Sequence, residues 1–186
     1  MRRAVVLLLC LPLAAVADVT RQEDPDTGLL SWHVKDNGFD MQLLQVLPDY
    51  VRAVYESRGL PQAIIDSMDG YCVFGTILRN RSDAPIRYDV ADWRYITPDG
   101  KSHAVKTKDE WVAQWRKLGV PFAWSILPTE QTFQPGDWGQ GFTTVKLPPD
   151  STFHLRYSWS QHGETHTGTI EDMRCAPAEP PARPEQ

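Results

Sequence analysis

The stretch "SWSQHGETHTGTIED" (158–172) sets two of the chain's five histidines four residues apart, with a carboxylate between them. Imidazole and carboxylate are the groups that hold zinc or copper, so His162 and His166 are the first candidates for chemistry. On a helix this spacing would put both rings on one face. Here the residues alternate around a glycine, which predicts a β-hairpin with its two-residue turn at His162-Gly163. That turn pairs Leu155 with Ile170, Tyr157 with Gly168 and Trp159 with His166. His154/Glu171, Arg156/Thr169, Ser158/Thr167 and Ser160/Thr165 then form the polar face. His162 therefore belongs to the turn and His166 lies beside Trp159, while the glycine leaves room for the Tyr157 ring. A metal site would need a third ligand from His33, His103, His154, Met41, Met68 or Met173, and no spacing supplies one. Copper or zinc handling through His162 and His166 stays as an alternative reading.

Other reactive patterns are missing. The chain has no G-x-S-x-G elbow, no phosphate-cradling glycine loop and no H-E-x-x-H. Asp89 and Asp92, three apart on an expected strand, point to opposite faces unless a bulge intervenes. The expectation is a protein that is not an enzyme and carries no cofactor. Seven tryptophans raise a different possibility, because exposed indoles stack on sugars. Trp32, Trp93, Trp111, Trp115, Trp124 and Trp159 fall at core-facing positions of regular patterns. Only Trp138, in "PGDWGQG", reads as exposed, which makes it the candidate residue for glycan binding.

These residues sit in a chain that begins like an export precursor. Arg2 and Arg3, the run "AVVLLLCLPLAAV" and the small residues Ala15 and Ala17 have the form of a signal peptide over residues 1–17, cleaved between Ala17 and Asp18. The apolar run falls short of the ~20 residues a bilayer span needs. Losing Arg2 and Arg3 with the leader takes the formal charge from −5 to −7, which disfavours nucleic acid as a partner. The mature chain is expected in the periplasm, with no transmembrane segment. Of three cysteines, Cys72 and Cys175 survive cleavage, and in an oxidising compartment they predict one structural disulfide.

Residues 18–28 are polar and aperiodic and read as a flexible leader, and residues 29–175 as one domain. "LLSWHVK" and "FDMQLL" alternate as strands about a turn at Asp36-Asn37-Gly38. Pro48 and Pro61 open short helices near 48–58 and 61–69, closed by Gly59 and Gly70. "YCVFGTILRN" reads as a central strand and "IRYDVADWRYI" as a second long one. Thr107-Lys108-Asp109-Glu110 fits a capping box for a helix over 107–118, with Trp111, Trp115 and Leu118 on one face. Its exposed side carries Lys108, Gln114 and Lys117. The tail 176–186, "APAEPPARPEQ", is proline-rich and reads as disordered.

Many strands broken by glycine and proline turns, with helices inserted rather than alternating, predict a mainly β fold built as an antiparallel β-sandwich. The segments "VFGTILRNRSDAPIRYDVADWRYITPDG" and "FQPGDWGQGFTTVKL" resemble secreted bacterial immunoglobulin-like β-sandwich domains. The resemblance implies a scaffold for adhesion or binding rather than a reaction. Cys72 and Cys175 are farther apart than the antibody-type core bridge, so a clamp near the chain ends is expected. The reading that follows is an exported, non-enzymatic binding or accessory module of the bacterial cell envelope that acts through a protein partner.

Overall fold

The computed structural model describes residues 17–180. The expected signal peptide, apart from Ala17, and the last six residues of the proline-rich tail lie outside the described residues. Two antiparallel sheets carry the fold, which is mainly β. The first sheet has the order β1 (Asp18–Glu23), β2 (Leu30–Asp36), β3 (Phe39–Val46), β4 (Cys72–Asn80) and β9 (Trp138–Val145). In the second, β10 (Thr152–Gln161) pairs along one edge with β11 (Glu164–Arg174). Along its other edge it pairs with both β5 (Ile86–Asp89) and β6 (Arg94–Ile96). β7 (Ser102–Ala104) extends β6, and β8 (Glu130–Phe133) extends β5.

The expected alternation in the first sheet holds. Trp32, Val34, Phe39, Met41, Leu43, Phe74 and Leu78 are buried against Tyr88, Tyr95, Phe153, Leu155, Tyr157 and Trp159 of the second sheet. The turn between β2 and β3 has positive φ at Asn37 (48°) and Gly38 (87°), as a two-residue hairpin requires. A Cβ on Gly38 would also lie 2.5 Å from Cβ of Ser82, so only glycine fits there.

A second core lies on the outer face of the first sheet. There α1 (Pro48–Ser57), α2 (Gln62–Asp66) and α3 (Lys108–Arg116) bury Val51, Tyr55, Ile64, Ile65, Trp111 and Trp115 against Val73. The capping box is present: Thr107 accepts from the Glu110 amide at 3.2 Å, and Glu110 Oε2 accepts from the Thr107 amide at 2.8 Å. Both helical indoles donate to hydroxyls, Trp111 to Thr144 at 2.9 Å and Trp115 to Ser67 at 2.8 Å. Leu118 departs from expectation. The helix ends before it, leaving it exposed, and Val120 turns back into the core instead.

Two further expectations are corrected. Residues 18–23, read as part of a flexible leader, form β1 and pair with β2 over their whole length. An edge strand with both faces open to solvent needs no apolar period, and only Val19 reaches the core. The long strand expected over "IRYDVADWRYI" is broken by a 3-10 turn at Val90–Asp92, where the Asp89 carboxylate accepts from the Ala91 amide at 2.9 Å.

Two of the links between the sheets lie at the ends of β4. Cys72, at the start of β4, forms a disulfide with Cys175, just beyond β11; the Cα atoms are 5.4 Å apart across 103 residues. Both cysteines are buried, and a loop of that length is worth about 3–5 kcal/mol in the chain-entropy account. At the other end of β4, the Asn80 side-chain amide donates to the carbonyls of Ala84 (2.8 Å) and Phe133 (3.0 Å). Its Oδ1 accepts from Ser82 N (2.9 Å) and Ser82 Oγ (2.7 Å).

Asn80 is 1% exposed, so truncation leaves two buried carbonyls without that donor. Asn80→Ala should cost about 2–4 kcal/mol, read as a lowered urea midpoint at unchanged m-value. Burial also raises the phenol ionisation of Tyr55, Tyr88 and Tyr157 well above the ordinary tyrosine value. The unfolded chain therefore releases these protons first. Stability from this source is complete below about pH 10 and falls as pH rises past it, so the urea midpoint should hold up to about pH 10 and drop from there towards about pH 11.

Candidate functional site

Strand register places the side chains of the first sheet's outer face in a grid. Nearest the helices, Val46, Val73 and Thr144 lie side by side across β3, β4 and β9. The next row is Ser31, Leu44, Gly75 and Phe142, then His33, Gln42, Ile77 and Gln140. The last is Asp18, Lys35, Asp40, Arg79 and Trp138. Successive rows are two residues apart along the strands, about 7 Å. The helices cover the first row, and Tyr55 of α1 also packs on Phe142 in the second; the rest of the face stays open.

Where the helices stop, a groove of about 550 Å³ opens. Its floor is Leu44, Gly75, Ile77 and Phe142, and its wall is Tyr50, Val54 and Arg58 from α1 with Trp124 from the loop after α3. Gly75 makes the floor deep. A Cβ there would meet nothing closer than Val46 Cγ2 at 3.8 Å. Tyr50 and Trp124 are 61% and 62% exposed, and Leu44 and Phe122 are also exposed. The Arg58 guanidinium lies 5.3 Å from the Trp124 ring centre, and Phe122 packs on the same indole at 5.3 Å. Trp124, expected in the core, is thus on the surface. The segment 121–124 carries no helix or strand, so the pattern that placed it inward does not apply.

Beyond the groove the face turns polar. A second hollow of about 600 Å³ is lined by His33, Lys35, Asp40, Gln42, Arg79 and Arg81, with Gly38 and Phe39. Asp40 Oδ1 lies 3.1 Å from His33 Nε2 and 3.7 Å from Arg79 Nη1, and Oδ2 is 3.8 Å from Arg81 Nε. The close pair is not aligned for a hydrogen bond, and both of its atoms are enclosed. Trp138 stands at the end of this row, 59% exposed, directly across from Arg79.

The hairpin histidines are elsewhere, on the second sheet. The ladder has the expected register from Leu155↔Ile170 to Ser160↔Thr165. His162 and Gly163 form the turn with φ of 53° and 80°. His166 stacks on Trp159 at 4.1 Å and 13°, and the Trp159 indole donates to the buried Asp36 at 3.1 Å. The ladder slips between Phe153 and Leu155, so Phe153 pairs with Met173. At that irregularity Asp172 has φ of 51° and its amide donates to His154 Nδ1 at 3.1 Å. Among the described residues no three His, Cys, Asp or Glu side chains gather as metal ligands, and no helix is long and apolar enough to cross a membrane. On α3, Gln114 accepts from the Lys106 ammonium, which also lies 3.4 Å over Trp111. Burial lowers the Lys106 pKa.

No protein-family model and no curated protein matches the chain. Among solved structures, Northeast Structural Genomics Consortium target SoR45 is 12% identical, over 86% of this chain and 84% of that one, with a TM-score of 0.36. An overlap that loose decides nothing about fold or function.

Sequence reasoning placed Trp138 on the surface, where it lies, and missed the groove. The available signal was Gly75, a lone glycine inside the most apolar strand, which often marks a close approach to a strand surface. On the hairpin, a Cβ at Gly168 would lie 2.2 Å from the Tyr157 hydroxyl oxygen. Gly168→Ala should therefore lower stability by about 2–3 kcal/mol in denaturant titration.

Proposed function

We propose that this chain is an exported, non-enzymatic binding module of the bacterial cell envelope that works through a protein partner. An apolar side chain of the partner sits in the groove over Gly75. The observation that carries this reading is the pair Tyr50 and Trp124, two large aromatics more than half exposed beside a groove floored by a bare glycine. Exposed apolar clusters of this kind mark interaction sites, and Trp, Tyr and Arg are the residues that dominate binding energy. The arrangement offers a rigid pocket with an aromatic rim and one cation, Arg58. It offers no paired acid and base beside it.

The fold reading that goes with this function is an immunoglobulin-like β-sandwich. Two antiparallel sheets sharing one core support it, as does a chain that passes from the first sheet to the second after β4, returns for β9 and leaves again for β10. Export is supported by the N-terminal sequence and by a buried disulfide that suits an oxidising compartment. The acidic composition favours a protein over nucleic acid as partner.

Gly75→Leu tests the groove directly. The new side chain grows into open space from a paired strand position, so folding should be unaffected. The partner is identified by photo-crosslinking from position 50 and then purified. Its affinity for Gly75→Leu and for Trp124→Ala should fall at least ~10-fold in calorimetry. Equal affinity for all three proteins, or no crosslinked partner, would remove this reading.

A further inference from the structure

The polar half of the same face meets the groove at Gln140 and stands apart from its aromatic wall. We infer that the Trp138 end of the first sheet binds a neutral glycan. One sugar ring lies on the indole, and its hydroxyls reach Arg79, Asp40, Gln42 and Gln140.

The first support is Trp138 itself. Its neighbours along and across the strands on this face are Gln140 and Arg79, and the indole stays largely exposed at the start of the edge strand β9, paired with β4. An indole held there has a fixed orientation and a free apolar surface, which suits the C–H face of a pyranose. Because it is mounted on a sheet rather than a loop, little side-chain freedom is lost on binding.

The second support is unspent hydrogen-bonding capacity. Arg79 meets Gln42 Oε1 only at 3.5 Å and Asp40 only at 3.7 Å, so most of its five N–H donors remain free. Asp40 is held among His33, Arg79 and Arg81 at 3.1–3.8 Å, and none of these is a hydrogen bond. The side chain is 11% exposed and Oδ1 is enclosed, so the carboxylate is fixed in place with Oδ2 as its open acceptor.

The third support is the sign pattern. Along the row, Asp18, Lys35, Asp40 and Arg79 alternate in charge. Arg81 and His33 also face Asp40, so cations and a carboxylate stand side by side in the hollow. A hydroxyl both donates and accepts, so a polyhydroxylated, uncharged ligand can use the cations and the carboxylate of this row alike. The hollow of about 600 Å³ beside Trp138 gives the chain of sugars room to continue across β3 and β2.

The test is a titration of the ¹⁵N-labelled purified protein with chitohexaose, cellohexaose and hexagalacturonate, each to ~10 mM, followed by NMR. At least one of the two neutral oligosaccharides should shift the Trp138 indole N–H and the Gln42 and Gln140 side-chain amides saturably. Trp138→Ala should abolish those shifts, and Arg79→Gln should weaken binding ~10-fold. Unchanged backbone spectra away from the site would show that both variants are folded. Trp124→Ala should bind the sugar as the wild type does, which separates this site from the groove. The inference is overturned if neither neutral oligosaccharide shifts these signals, if only hexagalacturonate does, or if Trp138→Ala binds unchanged.

Discussion

The pleat of one strand organises this protein. β4, Cys72–Asn80, is paired on both edges, so its residues must alternate strictly between two faces that do different work. Inward go Cys72, Phe74, Thr76, Leu78 and Asn80, which supply the disulfide, the core between the sheets and the hydrogen bonds that start the crossover. Outward go Val73, Gly75, Ile77 and Arg79, which supply in turn the helix-packing site, the groove floor, the next row and the first charged contact. A register slip of one residue would exchange the two sets. It would put Arg79 into an aromatic core and Phe74 into water, so the site and the fold are specified by the same alternation.

The helices change what an outer sheet face means. An antiparallel sheet with one solvated face shows simple in–out alternation, and β2 and β3 largely do. Near Val73 both faces are covered, because Trp111, Trp115 and Tyr55 pack onto the outside. That second core is held by polar anchors as well as area: each helical indole has a hydroxyl partner, and Lys106 lies over the Trp111 ring. Covering ends within the second row, where Tyr55 packs on Phe142 while Leu44 stays exposed. The groove is the step between a covered row and an open one, and Gly75 deepens it.

Features set by local chemistry were legible in the sequence. The capping box, the Asn37-Gly38 turn and the His162-Gly163 hairpin each depend on a few adjacent residues, and register then follows by counting. Even the room Gly168 leaves for Tyr157 came from that counting. Features that depend on partners distant in sequence were not legible. β1 has no apolar period because its stability comes from ladder bonds to β2. The break at Val90–Asp92 turns on one carboxylate choosing a local amide over an extended backbone. Trp124 reads as core-facing from its pattern, but its segment forms no helix or strand to fix a face.

The candidate sites show the same division in sharper form. Trp138 was visible because a proline-glycine turn beside it argued for exposure. Its neighbours Arg79, Asp40 and Lys35 come from three other strands, and no spacing along the chain unites them. A helical site can be seen in sequence because the helix repeat brings its residues together. A site on a sheet face is assembled by register between strands, so it becomes visible only once every hairpin and crossover is known. In this protein the crossovers after β4 and before β9 carry that information. Asn80 holds both, binding Ala84 on one side and Phe133 on the other, so the residue that fixes the second sheet against the first also fixes which side chains stand beside Trp138.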